Sequence, residues 1–278
     1  MMLRPVLVAL ATFTAFPLGL AAQDSLLLRY HPVAGVKVHR VFQSHTRITG
    51  VGAAGEAAGP AREAADLGGV TEVALPGPDG ALIVHLAYDS LRARMREGDE
   101  SWREYEVTAL DSLWLQVSLD SRMRVVEATA GGDRPGSGML LHLLTGAPGM
   151  ELPGGWLRQG QYWSSRLEFQ LGELVGHAPV EAPSALLGME MDFRLDSLTA
   201  RDQDTLAYIR YSGALTPTTL RREDGSTHQF AGATMGTLVW STGWRGWVAA
   251  AVRLQVVVSV PERGRLSLET TVRQSVLP

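Results

Sequence analysis

The sequence contains no cysteine, so disulfides, a thiol nucleophile and a lipid-modified N-terminal cysteine are all excluded. It has a single lysine, Lys37, and no block of basic residues, and its formal net charge is −4. The sequence therefore has no basic patch that could bind a phosphate backbone, which argues against a nucleic-acid partner. Without covalent cross-links the fold must be stabilised by its hydrophobic core, and 278 residues are enough to bury a large one.

The sequence also lacks the common catalytic and metal-binding motifs. Neither His-Glu-x-x-His nor Gly-x-Ser-x-Gly occurs. His39 and His45 share one face of a predicted strand, but at roughly 3.3 Å per residue they lie about 20 Å apart and cannot hold one ion. Residues 202–204, Asp-Gln-Asp, lack the glycine and the distal glutamate of a calcium loop and predict a polar hairpin turn instead. We therefore predict no metal, no cofactor and no enzymatic activity.

A glycine-rich segment, Gly50-Val-Gly-Ala-Ala-Gly55, matches a dinucleotide-binding fingerprint. The residues after it lack an apolar helical face, and Gly59-Pro60 would interrupt a helix there. The surrounding strands alternate as half-exposed antiparallel strands do, whereas that fingerprint needs buried parallel ones. We therefore interpret residues 50–69 as a flexible insert or an edge segment with little to bury.

The only long apolar run lies at the N-terminus. A basic Arg4, an apolar stretch from Val6 to Leu20 and small residues up to Ala22 have the layout of a secretory signal peptide. This predicts a signal over residues 1–23, a mature chain of residues 24–278 forming one β-rich domain, and a periplasmic or secreted location.

Alternating hydrophobicity predicts the fold class. Between Val248 and Val260 every even position is apolar, and after a turn the pattern resumes from Leu266 to Val276 with polar residues between, which predicts a hairpin with one buried face. Similar alternation predicts strands at the following places: 26–30, 36–48, 82–89, 113–119 with a turn at Asp120-Ser121, 163–171, 189–196 and 206–211. We expect a curved antiparallel sheet, either a half-barrel or a closed meander, with at most one or two short helices. The turn-rich connector at about 130–160 includes one candidate helix, residues 139–144.

Taken in order, several short motifs resemble an uncharacterised family of secreted bacterial proteins. The matching strings are these: Leu28-Arg-Tyr30, Gly35 to Thr46, Leu152-Pro153, Gly160-Gln-Tyr-Trp163, Gly236-Thr-Leu238 and Gly243-Trp244. Gln161 stands where that family usually has an acidic residue. The resemblance implies a fold similar to the lipoprotein-carrier half-barrel, whose apolar concave face wraps around a helix or a hydrophobic ligand, and it implies no catalytic residues.

The inward-facing positions form the candidate site. One long apolar face needs a cover, and the sequence offers little helix to provide it. The residues expected to line an apolar concavity for a lipid or another hydrophobic ligand are Met189, Met191, Phe193, Val252, Leu254 and Val256.

A second candidate is the cluster of Trp240, Trp244 and Trp247, three indoles within eight residues. Indole has an apolar body and a polar N–H, so the cluster could form an aromatic platform or an interfacial anchor. A tight hairpin whose tryptophans cap one end of the sheet explains it equally, and we favour that interpretation.

We therefore predict a secreted or periplasmic, non-enzymatic binding or structural module, whose candidate partners are a lipid or other hydrophobic ligand and a protein of the cell envelope. Two alternatives stay open. One is an envelope hydrolase without a recognisable motif, which would need a cleft with converging serine or carboxylate groups. The other is an outer-membrane β-barrel, because alternating strands with flanking tryptophans also suit a bilayer.

Overall fold

The computed structural model describes residues 25–105, 110, 113–131, 150–170, 186–221, 227–261 and 263–277. Their fold is almost entirely β, as the alternating sequence predicted. The strands are β1 (Ser25–Leu26), β2 (Lys37–Val51), β3 (Arg62–Pro76), β4 (Leu82–Glu97), β5 (Arg103–Tyr105), β6 (Trp114–Leu119), β7 (Val125–Gly131), β8 (Leu157–Arg158), β9 (Tyr162–Gln170), β10 (Leu186–Arg201), β11 (Asp204–Leu215), β12 (Thr218–Arg221), β13 (Thr227–Ser241), β14 (Gly246–Val260) and β15 (Gly264–Val276).

Thirteen of these strands form one antiparallel sheet. Its main order is β7-β6-β4-β3-β2-β15-β14-β13-β11-β10-β9, with β5 beside β4 and β12 beside β13. The predicted β14–β15 hairpin is confirmed, with Val260 opposite Gly264. The pairing of β15 with β2 joins the last strand to the first long strand at the centre of the sheet.

The sheet is open along its hydrogen-bonded ladder, yet it is strongly curved. Strands β7 and β9 are its outermost described strands and do not pair with each other. Residues 150–153 nevertheless span from one side to the other. On one side, the Leu152 N–H donates to the carbonyl of Arg122 in the β6–β7 turn, and Arg122 Nε donates to the Leu152 carbonyl, both at 2.8 Å. On the other side, Trp163 Nε1 on β9 donates to the Glu151 carbonyl at 3.0 Å. The half-barrel alternative is therefore favoured over the closed meander.

Two local predictions were wrong in extent. Residues 26–30 were expected to form a strand, but β1 contains only two residues, and the chain from there to Val36 crosses one end of the sheet as an irregular strap. The predicted insert at 50–69 is split, since residues 62–69 begin β3, a strand inside the sheet. That part of β3 is poor in large apolar residues because the Phe42 ring lies over Gly68 and fills the space that a side chain there would occupy.

The helix content agrees with the expectation of at most one or two short helices. In the described part of the chain a 3₁₀ turn, Pro78–Gly80, lies in the β3–β4 connection, Leu110 also has 3₁₀ geometry, and there is no α-helix. The candidate helix at 139–144 and most of the connector at 130–160 lie outside the described residues. No helix in the described part of the chain is long and apolar enough to cross a membrane.

One face of the sheet carries the core, and we call it the inner face. On β2 the buried positions are the even ones from Val38 to Ile48, while the odd positions between them face outward. The same alternation continues on both sides, and the inner-face side chains join into one hydrophobic cluster that extends from Leu115 on β6 to Phe193 on β10. The two halves of the chain therefore share a single core.

Glycines on the inner face allow the tight curvature. A Cβ at Gly236 would overlap the Ala251 carbonyl oxygen and the Tyr211 ring, and one at Gly213 would overlap the Met191 sulfur. Glycine inside a strand typically marks such a close approach.

We predict that Gly236→Ala lowers the free energy of unfolding by about 2 kcal/mol, because the added methyl group meets backbone that cannot move aside. Urea unfolding followed by circular dichroism measures the change. The matched control is Gly188→Ala, also inside a strand, where the nearest atom lies at an ordinary 3.5 Å. Equal losses from both variants would contradict the packing argument.

Candidate functional site

The structure brings the six predicted ligand-face residues together on the inner face. The strand register aligns Phe193 with Tyr211, Gly236 and Val252 in one row, from β10 to β14. A neighbouring row aligns Met191 with Gly213, Thr234 and Leu254. Met189 and Val256 come next along the same two strands. The predicted residues thus form two facing apolar ridges on β10 and β14.

Between these ridges lies a shallow valley, which we define by Gly213 and Gly236 on β11 and β13. Neither glycine has a side chain to fill it, so the Met191 thioether lies over Gly213 and the Tyr211 ring lies over Gly236. Five of the six predicted residues are buried, and Val252 is partly buried against the same core. The valley is therefore occupied by side chains of the protein itself.

Among the residues that the structure describes, three side-chain polar atoms on the inner face are buried without a hydrogen-bond partner. They are Tyr211 Oη, Trp247 Nε1 and Gln274 Oε1. Burial raises the pKa of Tyr211; the Thr234 hydroxyl lies nearby, but it donates to the Arg253 carbonyl and does not meet hydrogen-bond geometry with Tyr211. An unsatisfied buried polar atom costs on the order of 1 to 3 kcal/mol, so each is a place where a further hydrogen-bonding group would be stabilised.

Of the tryptophan cluster, two rings belong to the core and one is on the surface. Trp240 and Trp247 are each about 1% exposed and pack edge to face, with their centroids 4.7 Å apart. Trp244 is 41% exposed in the turn that joins β13 to β14. The structure does not place the three indoles on one accessible platform.

The same turn carries a dense hydrogen-bond cluster around Asp204. This carboxylate accepts from the Ser241 and Thr242 hydroxyls at 2.5 and 2.9 Å and from the Gly243 backbone N–H at 2.7 Å. Although burial acts in the other direction, these donors hold the pKa of Asp204 below its usual value. The Ser241 hydroxyl is thus engaged in fixing the turn. Residues 202–203 form the hairpin turn predicted for the Asp-Gln-Asp segment.

An ion pair is buried at the end of the inner face that the strap crosses. Arg40 Nε donates to Glu72 Oε2 at 2.6 Å, and both side chains are almost fully buried. Arg40 Nη1 also donates to the Trp247 carbonyl at 3.1 Å, and the Tyr30 hydroxyl donates to the other Glu72 oxygen at 2.7 Å. The pair therefore connects β2, β3, β14 and the strap. Because Glu72 already neutralises the guanidinium, this arginine is not a free anchor for an anionic head group.

Sequence reasoning missed a groove on the outer face. A cavity of about 1360 Å³ crosses the outer face from β4 to β13, and it is lined by Arg92, Arg94, Arg253 and Arg273 among others. The signal was present in the sequence, since Arg92-Ala-Arg94-Met-Arg96 places three guanidinium groups on one face of a strand.

His39 and His45, which were considered as ligands, lie beside separate carboxylates on the outer face. His39 Nδ1 lies 3.3 Å from Asp89, and His45 Nε2 lies 3.3 Å from Glu63. Within the part of the chain that the structure describes, no three histidine or carboxylate groups are close enough to hold a metal ion.

We expect Glu72→Gln to lower the free energy of unfolding by about 3 kcal/mol, because it leaves the buried Arg40 charge without a counterion. Glu97→Gln is the matched control, since it removes an exposed partner of Arg62 and should cost less than about 1 kcal/mol. Denaturant unfolding of both variants tests the difference. A near-neutral Glu72→Gln would show that the pair does not hold the strap.

The Tyr30 phenol gives a pH prediction. Burial, followed by the charge of Glu72, raises the pKa of Tyr30 well above its usual value of 10.0. Above about pH 10 the unfolded chain releases this proton while the folded protein keeps it, so the free energy of unfolding falls as the pH rises. Tyr30→Phe should reduce that slope between pH 9.5 and 11, whereas Tyr208→Phe, at an exposed site, should leave it unchanged. Identical slopes in all three proteins would refute this assignment.

Comparisons with known proteins identify a fold but no family. No protein-family model matches the chain, and no curated protein matches it either, so the resemblance to a secreted bacterial family stays a prediction. Among solved structures the chain is similar to one described as lipid–protein interactions in lipovitellin, with a TM-score of 0.51 and 10% sequence identity. The match covers 89% of this chain and 26% of the lipovitellin chain, about a quarter of its length. The large antiparallel sheet of this protein is therefore of a kind also found in lipovitellin.

Proposed function

We propose that this protein is a non-enzymatic binding module for a lipid or another ligand with an acyl chain, acting in the periplasm or outside the cell after removal of residues 1–23. The apolar part of the ligand lies along the valley over Gly213 and Gly236, between the ridges of β10 and β14. The observation that carries the proposal is the pair of apolar ridges facing each other across two strands on which Gly213 and Gly236 leave one position in each row without a side chain.

Methionine makes the valley adaptable. Met189 and Met191 line one ridge, and methionine has flexible, polarisable side chains that repack around ligands of different shape. When the Met191 side chain turns away from Gly213, it leaves a channel floored by glycine, into which a hydrocarbon chain can be inserted. Each methylene that is buried there contributes about 0.8 kcal/mol.

The unpaired polar atoms support the same ligand class. Tyr211 Oη stands beside the valley, and Gln274 Oε1 and Trp247 Nε1 lie on the inner face of the strands that follow. A ligand with a hydroxyl, ester or protonated carboxyl group at one end satisfies such atoms, whereas a pure hydrocarbon leaves them unpaired. The likeness to lipovitellin adds that a sheet of this kind occurs in a protein studied for its contacts with lipid.

The proposal predicts that a photoreactive fatty acid labels the inner face. The protein is purified without detergent as residues 24–278, exposed to a palmitate analogue with a diazirine near the end of its chain, irradiated and digested. Adducts are expected on peptides that carry 186–195 and 252–256, and unlabelled palmitate should compete them away. Native mass spectrometry of the same preparation should show ligand bound at close to one per chain.

Two methionine variants provide the matched comparison. Met191→Ala enlarges the valley, so it should increase labelling while lowering the free energy of unfolding by about 3 kcal/mol. Met235→Ala removes an exposed methionine from the outer face and should change neither quantity. Adducts confined to the outer face, or labelling that excess palmitate does not reduce, would contradict the proposal.

A further inference from the structure

The outer face carries a stripe of arginines on β4 in which not every charge is neutralised. Arg96 forms a 2.7 Å ion pair with Glu63. Arg94 lies with its guanidinium carbon 4.7 Å from the centre of the Trp102 ring, and Arg92 has no ion pair with any described residue. Stacking on the indole orients the Arg94 guanidinium while leaving its hydrogen-bond donors available.

The groove has a second wall of arginines, Arg273 on β15 and Arg253 on β14, on the side opposite the stripe on β4. The register places Arg92 opposite Leu67, Leu67 opposite Gln43 and Gln43 opposite Arg273. Three strand spacings separate Arg92 from Arg273, which is about 14 Å at roughly 4.8 Å per strand. Arg273 likewise lacks an ion pair within the described residues, whereas Arg253 on β14 forms an ion pair of 2.7 Å with Glu269.

Between these walls the groove of about 1360 Å³ has a mixed floor. Gln43, Thr237 and Thr271 offer amide and hydroxyl groups, and the half-exposed Leu67 and Met235 offer apolar surface. Four arginines line the groove against two carboxylates, Asp66 and Glu104, and Asp66 already accepts a hydrogen bond from Ser44. A chain with a formal net charge of −4 therefore presents a locally positive groove.

We propose that this groove binds an acidic oligosaccharide, a glycan with carboxylate groups along its length. Guanidinium groups bind carboxylates with paired hydrogen bonds, and the floor matches the alternating hydroxyl groups and apolar C–H faces of sugars. The floor is the face of a sheet whose backbone groups are engaged in the ladder, so it offers an acidic peptide no main-chain partners.

The test measures binding to the full mature protein by isothermal titration calorimetry. The probes are a galacturonate hexamer, an uncharged maltohexaose and a hexaglutamate peptide of the same charge as the first. The galacturonate hexamer should bind at least about tenfold more tightly than either of the others. No binding of the galacturonate hexamer, or equal binding of hexaglutamate, overturns the proposal.

Paired arginine variants locate the site. Arg92→Gln with Arg273→Gln should weaken binding of the galacturonate hexamer by at least about tenfold. Arg166→Gln with Arg265→Gln removes two exposed arginines that do not line the groove and should change affinity less than about twofold. Circular dichroism shows that both proteins are folded. Equal losses of affinity in the two double variants would mean non-specific attraction and would refute the site. The proposal is also refuted if the unmodified protein binds phosphatidylglycerol vesicles and only the Arg92/Arg273 double variant loses that binding.

Discussion

A sheet with one apolar face must hide that face from water, and the rest of this structure depends on that constraint. The described chain has no α-helix to lay across the face, so the sheet curves until its two halves cover one another. Curvature of this kind requires close approach between strands, which Gly213 and Gly236 permit. Residues 150–153 and the strap then close one end, where the buried pair of Arg40 and Glu72 connects four separate segments.

The same constraint links stability to function. The residues that line the valley are core residues, so a ligand that enters must replace contacts which the protein makes with itself. Methionine is suited to this exchange, since its thioether gains dispersion contacts in either arrangement. In the strand register Arg40 lies four residues along β2 from Ser44, which is level with Val252 and Gly236, so the ion pair is not part of the valley. The outer face has a different chemistry, in which exposed arginines surround a polar floor.

Strand alternation predicted much of this fold because its period reports directly which side of a strand is buried. The β14–β15 hairpin and the inward residues of β10 followed from it, and the structure places those residues on one face.

Strand alternation could not predict which strands pair over long distances in the sequence. Nothing local to β2 or β15 indicates that they pair with each other, and nothing local to β1 indicates that it pairs with β8. The start of β3 was misjudged because Phe42, on another strand, fills its space. Trp240 has the inward parity of Leu238, but Trp247 faces inward only because the register between β13 and β14 shifts after Val239, and nothing local in the sequence indicates that shift.

The central claim is that an apolar ligand lies over Gly213 beside Met191. Methyl NMR of protein labelled with ¹³C at its methionine methyl groups tests this most directly, because Met191 and Met189 lie on the inner face and Met235 lies exposed on the outer face. Titration with palmitate should shift the Met191 and Met189 signals to saturation and leave the Met235 signal in place. Unchanged Met191 and Met189 signals at saturating palmitate would contradict the account.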